Sequence, residues 1–296
     1  MTAVSYTAPH TLDEALRTLA DLGAAATVVA GGQDVLPRMH QGLLRPSHLL
    51  DISRLRGLTA VEVAGDRGGR LHVGALVTHA ALAREPVIRA AAPLLAEAAA
   101  QIGGGIQVRN RGTIGGAAAA ANPAYDLPAC LVALDAVVVL AGPRERRRVS
   151  AAAFFSGAGR TDCRADELVL GFEMPPMPPR TGWAYAKLKF TEGGSTVAGA
   201  ACLLTLGPDG RCARASVVLS GVADRPVPLA LAAERLAGEP VTPETLEAAA
   251  AAAPGAVEHP LEDVLAGGAY RRAMAHVMAA EALARAAGRA RNGGGA

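Results

Sequence analysis

Two glycine-rich segments contain the residue types best suited to binding a ligand. The first reads VVAGGQDV over residues 28–35, and the second reads TIGGA over residues 113–117, roughly eighty residues later. Successive glycines allow positive φ angles and expose backbone N–H groups, so such a chain can wrap an anion such as a pyrophosphate. Gln33 adds a hydrogen-bonding amide to one segment, and Thr113 adds a hydroxyl to the other. Together they predict a site for a dinucleotide.

The alternative is that each glycine pair is an ordinary turn, and for either pair alone this alternative is favoured. Neither segment matches the G-x-G-x-x-G fingerprint, and the P-loop pattern is absent from the chain. The ligand hypothesis depends on having two pairs, both predicted to be flanked by strands, and on the alanine run at 117–121. Because alanine leaves a bare surface, we expect this run to form the floor under a large planar or phosphate-bearing ligand.

Two charged residues could complete the site. Asp126 could accept hydrogen bonds from ribose hydroxyls, or it could cap the helix predicted to begin at Leu127. Lys187 could face a ring of the ligand and stabilise negative charge on it, although its spacing alone favours a solvated strand lysine. The histidines and cysteines show no metal-ligand spacing, so we predict no metal site, and we identify no catalytic acid or base.

Composition limits the class of protein. A chain of 296 residues predicts two domains, and a net charge of +2 gives no electrostatic footprint for nucleic acid. We predict no transmembrane segment and no signal peptide, because the long apolar runs that both require are missing. The four widely spaced cysteines favour free thiols and a cytoplasmic location.

Local patterns predict the helices and strands that flank the glycine segments. Thr11 and Glu14 form a capping box for a helix to Leu22, and a short strand then leads into Gly31. The proline cluster at 175–179 is the best domain boundary. Further predicted elements are a helix over 87–102 bent at Pro93, a helix over 127–134, and strands at 137–140, 168–174, 183–190, 197–206 and 215–219.

Four motifs carry a resemblance to a known family: VVAGGQDVLPRM, QVRNRGTIGG, NPAYDLPA and GWAYAKLK. With LSGVADRPV and DVLAGGAYRRAMAHVMAAEAL, they make the whole chain similar to the FAD-binding medium subunit of molybdenum hydroxylases, the carbon monoxide dehydrogenase and xanthine dehydrogenase family. The resemblance implies an α+β fold. A two-subdomain FAD-binding domain of the vanillyl-alcohol-oxidase (PCMH) type would span residues 1–176, divided near 57. A smaller α+β domain with a three-stranded antiparallel sheet and helices would span 177–296.

The resemblance also implies which residues bind FAD, without a covalent link. Residues 30–35 would wrap the pyrophosphate, residues 113–117 would complete that cradle, and Asp126 would lie near the adenosine end. Val169 and Lys187 would lie close to the isoalloxazine. The implied cofactor-binding residues are Val28, Val29, Ala30, Gly31, Gly32, Gln33, Asp34, Val35, Thr113, Ile114, Gly115, Gly116, Ala117, Asp126, Val169 and Lys187.

Two positions depart from the family pattern. Relatives commonly have Asn or Asp directly after TIGG, where this chain has Ala117. Members that resemble carbon monoxide dehydrogenase have an aromatic residue covering the flavin, where this chain has Ser195. These departures predict one lost ligand contact and a more open flavin face.

The function implied by the resemblance is electron transfer within a heterotrimer. FAD would receive electrons from the 2Fe-2S clusters of a small subunit and pass them to an external acceptor. Hydroxylation would occur on a large molybdenum-pterin subunit, and the complex would be a dimer of heterotrimers. Two alternatives stay open: a self-sufficient FAD-dependent oxidase or reductase, favoured by Ser195, and a flavin-free structural subunit, favoured by Ala117. Neither the substrate nor the final acceptor follows from this chain.

Overall fold

A computed structural model of the chain describes residues 4–65 and 69–293. The chain begins with a small sheet of parallel strands in the order β1-β3-β2, hereafter the parallel sheet. The predicted capping box at Thr11 is confirmed, and its helix packs Leu16 and Leu19 against Leu50 of β3. The elements are β1 (Ser5–Thr7), α1 (Leu12–Leu22), a 3-10 turn (Gly23–Ala25), β2 (Ala26–Val29), α2 (Val35–His40) and β3 (His48–Asp51).

A five-stranded antiparallel sheet follows, in the order β4-β5-β10-β6-β7, hereafter the central sheet. Successive residues of β6 point to opposite faces. Val138 therefore joins a core under the helices, while Val139 joins the core shared with the parallel sheet. The elements are β4 (Val61–Ala64), β5 (Arg70–Gly74), α3 (His79–Arg84), α4 (Pro86–Ala91), α5 (Pro93–Ala100), α6 (Gly105–Arg111), α7 (Ile114–Ala120), α8 (Leu127–Ala133), β6 (Val137–Ala141), β7 (Arg146–Ser150), α9 (Ala151–Phe154), β8 (Phe155–Gly157), β9 (Arg160–Thr161) and β10 (Leu168–Met174).

The C-terminal domain contains the predicted three antiparallel strands, and a two-residue strand extends the sheet to the order β11-β12-β13-β14. The long helix α13 packs across β11 and β12. The approach is close at Gly182, where a Cβ would overlap the backbone of Ala286. The elements are β11 (Thr181–Leu188), β12 (Ala198–Leu206), β13 (Cys212–Ser220), β14 (Val227–Pro228), α10 (Ala230–Leu236), α11 (Pro243–Ala250), α12 (Ala253–Ala256) and α13 (Gly268–Arg291).

Two local predictions are wrong. The helix expected over 87–102 is two helices, because Ala92 leaves the helical region at φ −142° and Pro93 starts a new helix. The second glycine segment is not a turn between strands. It begins helix α7, with Thr113 as its N-cap, and follows helix α6. The alanine run explains this outcome, because alanine has the highest helix propensity.

Candidate functional site

One cavity of about 650 Å³ lies between the parallel sheet, the central sheet and a loop of the C-terminal domain. All but two of the predicted cofactor-binding residues line it. The exceptions are Val29 and Ile114. Val29 follows Val28 on a strand and therefore faces the other way. Ile114 is fully buried in the core beneath the central sheet.

The first glycine segment presents free backbone donors to this cavity. Within the ranges that the structure describes, the N–H groups of residues 31–35 donate no hydrogen bond to a protein acceptor. Gly32 has a φ of +72°, and a Cβ added at Gly31 would overlap the carbonyl oxygen of Arg111. Both glycines are needed for this path, and a cavity-lining loop with unpaired N–H groups and a positive φ is a candidate anion nest.

Two side chains hold the first segment in shape. The Gln33 amide donates to the carbonyl oxygen of Gly31 at 3.2 Å, so it closes the loop on itself. Asp34 accepts from the hydroxyl of Tyr125 at 2.9 Å and pairs with Arg38 at 3.3 Å. Burial and the neighbouring carboxylate raise the pKa of Tyr125, which therefore stays protonated as the donor.

The second glycine segment differs, because its N–H groups already donate within the protein. Ile114 donates to Val77 at 3.0 Å and Gly115 to Ala75 at 2.9 Å, while Gly116 and Ala117 donate to the hydroxyl and carbonyl of Thr113. These N–H groups therefore add no free donors to the nest, and the prediction that residues 113–117 complete the cradle rests on Thr113, Gly115, Gly116 and Ala117 lining the cavity. Gly115 is needed for packing instead, since a Cβ there would lie 2.5 Å from the Ala75 Cβ.

The alanine run forms the cavity floor only in part. Ala117, Ala119 and Ala120 line the cavity, while Ala118 is fully buried in the core. A helix turns successive residues by about 100°, so one face of α7 reaches the ligand space and the other packs inward. Ala117 presents a methyl group where the family resemblance predicts a polar side chain.

Asp126 and Lys187 form one buried ion pair at the cavity wall. Lys187 Nζ lies 2.9 Å from Asp126 Oδ2, and the two side chains are 2 % and 4 % exposed. Asp126 makes no cap hydrogen bond to α8, and Lys187 is not solvated. An acid at the adenosine end and a lysine at the isoalloxazine end of an extended dinucleotide cannot be in contact, so the two predicted locations are incompatible.

A loop of the C-terminal domain closes this side of the cavity. The N–H of Gly104 donates to the carbonyl oxygen of Gly193 at 2.8 Å, and a Cβ at Gly103 would overlap the same backbone. Ser195, where the family resemblance predicts an aromatic residue, also lines the cavity. Gly193 and Ser195, which have no side chain or a small one, are the residues that this loop adds to the cavity lining.

His79 is a cavity residue that the sequence did not indicate. It is 6 % exposed, and its Nδ1 has no hydrogen-bond partner in the described part of the chain. Burial lowers its pKa to about 4, so the ring is neutral near pH 7. Its ring packs against Gly112, just before the second glycine segment. The sequence did not indicate Tyr125 either. A single histidine or tyrosine forms no sequence pattern, so neither residue could be recognised as part of the site.

The described part of the chain contains no candidate metal site and no disulfide. In residues 4–65 and 69–293, no three or more His, Cys, Asp or Glu side chains are grouped to hold a metal ion. The four cysteines form no disulfide, and burial raises the pKa of the cavity-lining Cys163 to about 12. None of the helices in the described ranges has the length and hydropathy needed to cross a membrane.

Comparisons with known proteins identify the class as an FAD-binding flavoprotein. The family "FAD binding domain in molybdopterin dehydrogenase" matches residues 2–177, and "CO dehydrogenase flavoprotein C-terminal domain" matches residues 183–286. The chain is 38% identical to the carbon monoxide dehydrogenase medium chain of Hydrogenophaga pseudoflava, over 94% of this chain and 95% of that one. It is 32% identical to the 6-hydroxypseudooxynicotine dehydrogenase complex subunit alpha of Paenarthrobacter nicotinovorans, over 97% and 95%.

A solved structure agrees with this family assignment. Carbon monoxide dehydrogenase from Hydrogenophaga pseudoflava matches with a TM-score of 0.92 at 37% identity, covering 97% of this chain and 98% of that chain. This chain belongs to the family of FAD-binding medium chains of molybdopterin dehydrogenases. The predicted family, the α+β fold, FAD as the cofactor and the role as an oxidoreductase subunit are thereby confirmed.

Proposed function

We propose that this chain is the electron-transfer flavin subunit of a heterotrimeric molybdenum hydroxylase or dehydrogenase. The observation that carries the proposal is the cavity with free N–H donors at residues 31–35. Its volume of about 650 Å³ falls in the range of roughly 300–1,000 Å³ that is usual for small-molecule sites. The donor array suits a pyrophosphate, and the buried Lys187 suits an electron-rich ring, so the residues present fit FAD.

In this proposal each group of residues has its own task. The N–H groups of residues 31–35 bind the pyrophosphate, and Gly115 brings α7 close enough to form a wall. Asp126 and Lys187 are in contact, so in this proposal both lie at the isoalloxazine end. Val169 is the apolar residue proposed to lie close to the ring. Val29 and Ile114 support the cavity from behind. Bound FAD would supply the redox chemistry.

The partners follow from the relatives. A large molybdenum-pterin subunit would carry out hydroxylation, and a small subunit with 2Fe-2S clusters would deliver electrons to this site. We further propose a dimer of heterotrimers, a cytoplasmic location and a domain boundary within residues 175–179, which lie between β10 and β11. The substrate stays open, because relatives of similar identity are named for carbon monoxide and for 6-hydroxypseudooxynicotine.

Purification of the full chain, alone and from its host, tests the proposal. Alone, the chain should show a flavin absorption band, and denaturation should release FAD because no covalent link is expected. From the host, it should co-purify with subunits that contain molybdenum and iron. A colourless chain that does not bind added FAD would favour a structural subunit. Turnover by the lone chain, without molybdenum or iron, would favour a self-sufficient oxidase.

A further inference from the structure

A buried hydrogen-bond network joins the two domains at the Lys187 wall of the cavity. Two hydroxyls donate to Oδ1 of Asp126: that of Tyr185 at 2.7 Å and that of Thr196 at 2.6 Å. Oδ2 accepts from Lys187 at 2.9 Å. Tyr185 and Thr196 are fully buried and are not among the cavity-lining residues, so their hydroxyls serve Asp126 rather than a ligand.

The two hydroxyls determine which oxygen of the Asp126 carboxylate accepts from Lys187. A carboxylate oxygen has about two lone-pair sites, and the hydroxyls occupy both sites of Oδ1. Oδ2 is thereby left to Lys187, and the buried carboxylate is satisfied, as such a charge requires. Burial and the Asp126 carboxylate raise the pKa of Tyr185, so its phenol keeps the proton that it donates.

The Lys187 ammonium has one N–H donor that is not bonded to the described part of the protein. An ammonium group has three N–H donors, and two of them bind Asp126 Oδ2 and the carbonyl oxygen of Gln101, the latter at 3.1 Å. The third makes no hydrogen bond to a protein atom among residues 4–65 and 69–293. Because Lys187 lines the cavity, this third N–H is available to a bound ligand.

We propose that Tyr185 and Thr196 are positioning residues that set the reduction potential of the bound flavin through Asp126 and Lys187. The inference rests on the proposed function, in which Lys187 faces the isoalloxazine. Without one hydroxyl, Oδ1 has an unsatisfied lone pair in a buried place. The Lys187 ammonium then moves toward Asp126 and away from the ring. Negative charge on the reduced flavin is less stabilised, so the potential falls.

The test measures the two-electron potential of FAD bound to the full chain, by titration against a redox dye followed in the visible spectrum. Thr196→Val and Tyr185→Phe remove one hydroxyl each with little change in shape. We expect each to weaken the preference for reduced over oxidised FAD about tenfold, which is about 30 mV lower for a two-electron couple. Thr196→Ser retains the hydroxyl and should restore the wild-type potential.

A matched control is available on the same sheet. Thr181 is buried, and its hydroxyl lies 2.7 Å from that of Thr205 rather than near Asp126. Thr181→Val should therefore leave the potential unchanged. In a Lys187→Met background, adding Thr196→Val should have no further effect on the potential, because the route through the ammonium is gone.

Three results would overturn the proposal. One is a wild-type potential in both Thr196→Val and Tyr185→Phe with FAD bound. Another is an equal shift in Thr181→Val. The third is loss of FAD or of folding in both variants, which would make the hydroxyls structural. A wild-type chain that binds no FAD would instead refute the proposed function, so the two failures are distinguishable.

Discussion

The two glycine segments look alike in the sequence but are used in different ways. In residues 31–35 the backbone N–H groups point to no protein acceptor, whereas at 114–117 each of them is already bonded within the protein. The first segment uses a positive φ at Gly32, while Gly115 and Gly116 adopt helical angles at the start of α7. A glycine pair therefore supplies donors in one place and close packing in the other.

A glycine motif indicates the close approach of two chain segments more directly than it indicates a ligand site. At Gly31 and Gly115 a side chain would collide with the backbone or Cβ of a neighbouring segment, Arg111 in one case and Ala75 in the other. Both glycines thus mark a place where two chain segments meet. Whether donors remain free depends on the surrounding structure. The second segment meets backbone acceptors near Ala75 and its own N-cap hydroxyl, whereas the first segment enters a six-residue helix that has no side-chain cap.

The largest effect is expected from Gly31→Ala. Because the new Cβ overlaps the Arg111 carbonyl, the loop must move, at a cost on the order of 3 kcal/mol, and FAD affinity should fall at least about a hundredfold. A flavin fluorescence titration and a thermal melt measure both effects. Gly255→Ala is the control, since open space surrounds that position. Wild-type affinity in Gly31→Ala would contradict the anion nest.

Acid should lower the free energy of unfolding through His79, which lies next to the second glycine segment. The pKa of His79 is about 4 in the folded protein against 6.5 in the unfolded chain, so only the unfolded chain gains the proton between these values. Its stabilising contribution is complete above pH 6.5 and is lost as the pH falls to 4, a difference of about 3 kcal/mol. Urea unfolding at a series of pH values measures this slope.

His79→Gln is the matching variant for that titration. It should flatten the pH dependence of unfolding free energy between pH 4 and 6.5, the interval set by the two pKa values. A variant profile parallel to that of the wild type would show that another group causes the acid sensitivity.

Thr113→Val tests the capped helix. The loss of the N-cap hydrogen bond should lower the free energy of unfolding by about 1 kcal/mol. FAD affinity should fall much less than in Gly31→Ala, because the N–H groups of this segment are bonded within the protein. Thr113→Ser, which retains the hydroxyl, should restore the stability. If FAD affinity falls as far as it does in Gly31→Ala, the two segments are equivalent after all.

The smallest effect is expected from Gly116→Ala. The new Cβ would have the Thr113 hydroxyl at 3.0 Å as its close neighbour, and alanine gains about 1 kcal/mol of helix propensity over glycine. These effects oppose each other, so the melting temperature should stay near that of the wild type. Gly115→Ala, which meets Ala75 at 2.5 Å, should be clearly destabilising. Equal melting temperatures for the two variants would contradict the packing role of Gly115.

Much of the cavity could be predicted from the sequence, because its glycine motifs are local and belong to a family pattern. The errors have local causes. Val29 and Ile114 belong to the motifs but face away, since a strand alternates its faces and a helix has an inner side. Ala92 and Pro93 show the limit of periodicity, because an apolar helix pattern continued across a backbone break.

The amino-acid sequence alone determines the features that depend on near neighbours: the Thr11 capping box, the strand patterns, and the two places where only glycine allows a close approach. Tertiary packing sets which N–H groups stay free and which residues meet at Asp126. Its partners Tyr185 and Thr196 lie 59 and 70 residues away along the chain. The cause is that a buried carboxylate needs several donors at once, and only the packing of two domains brings those donors together.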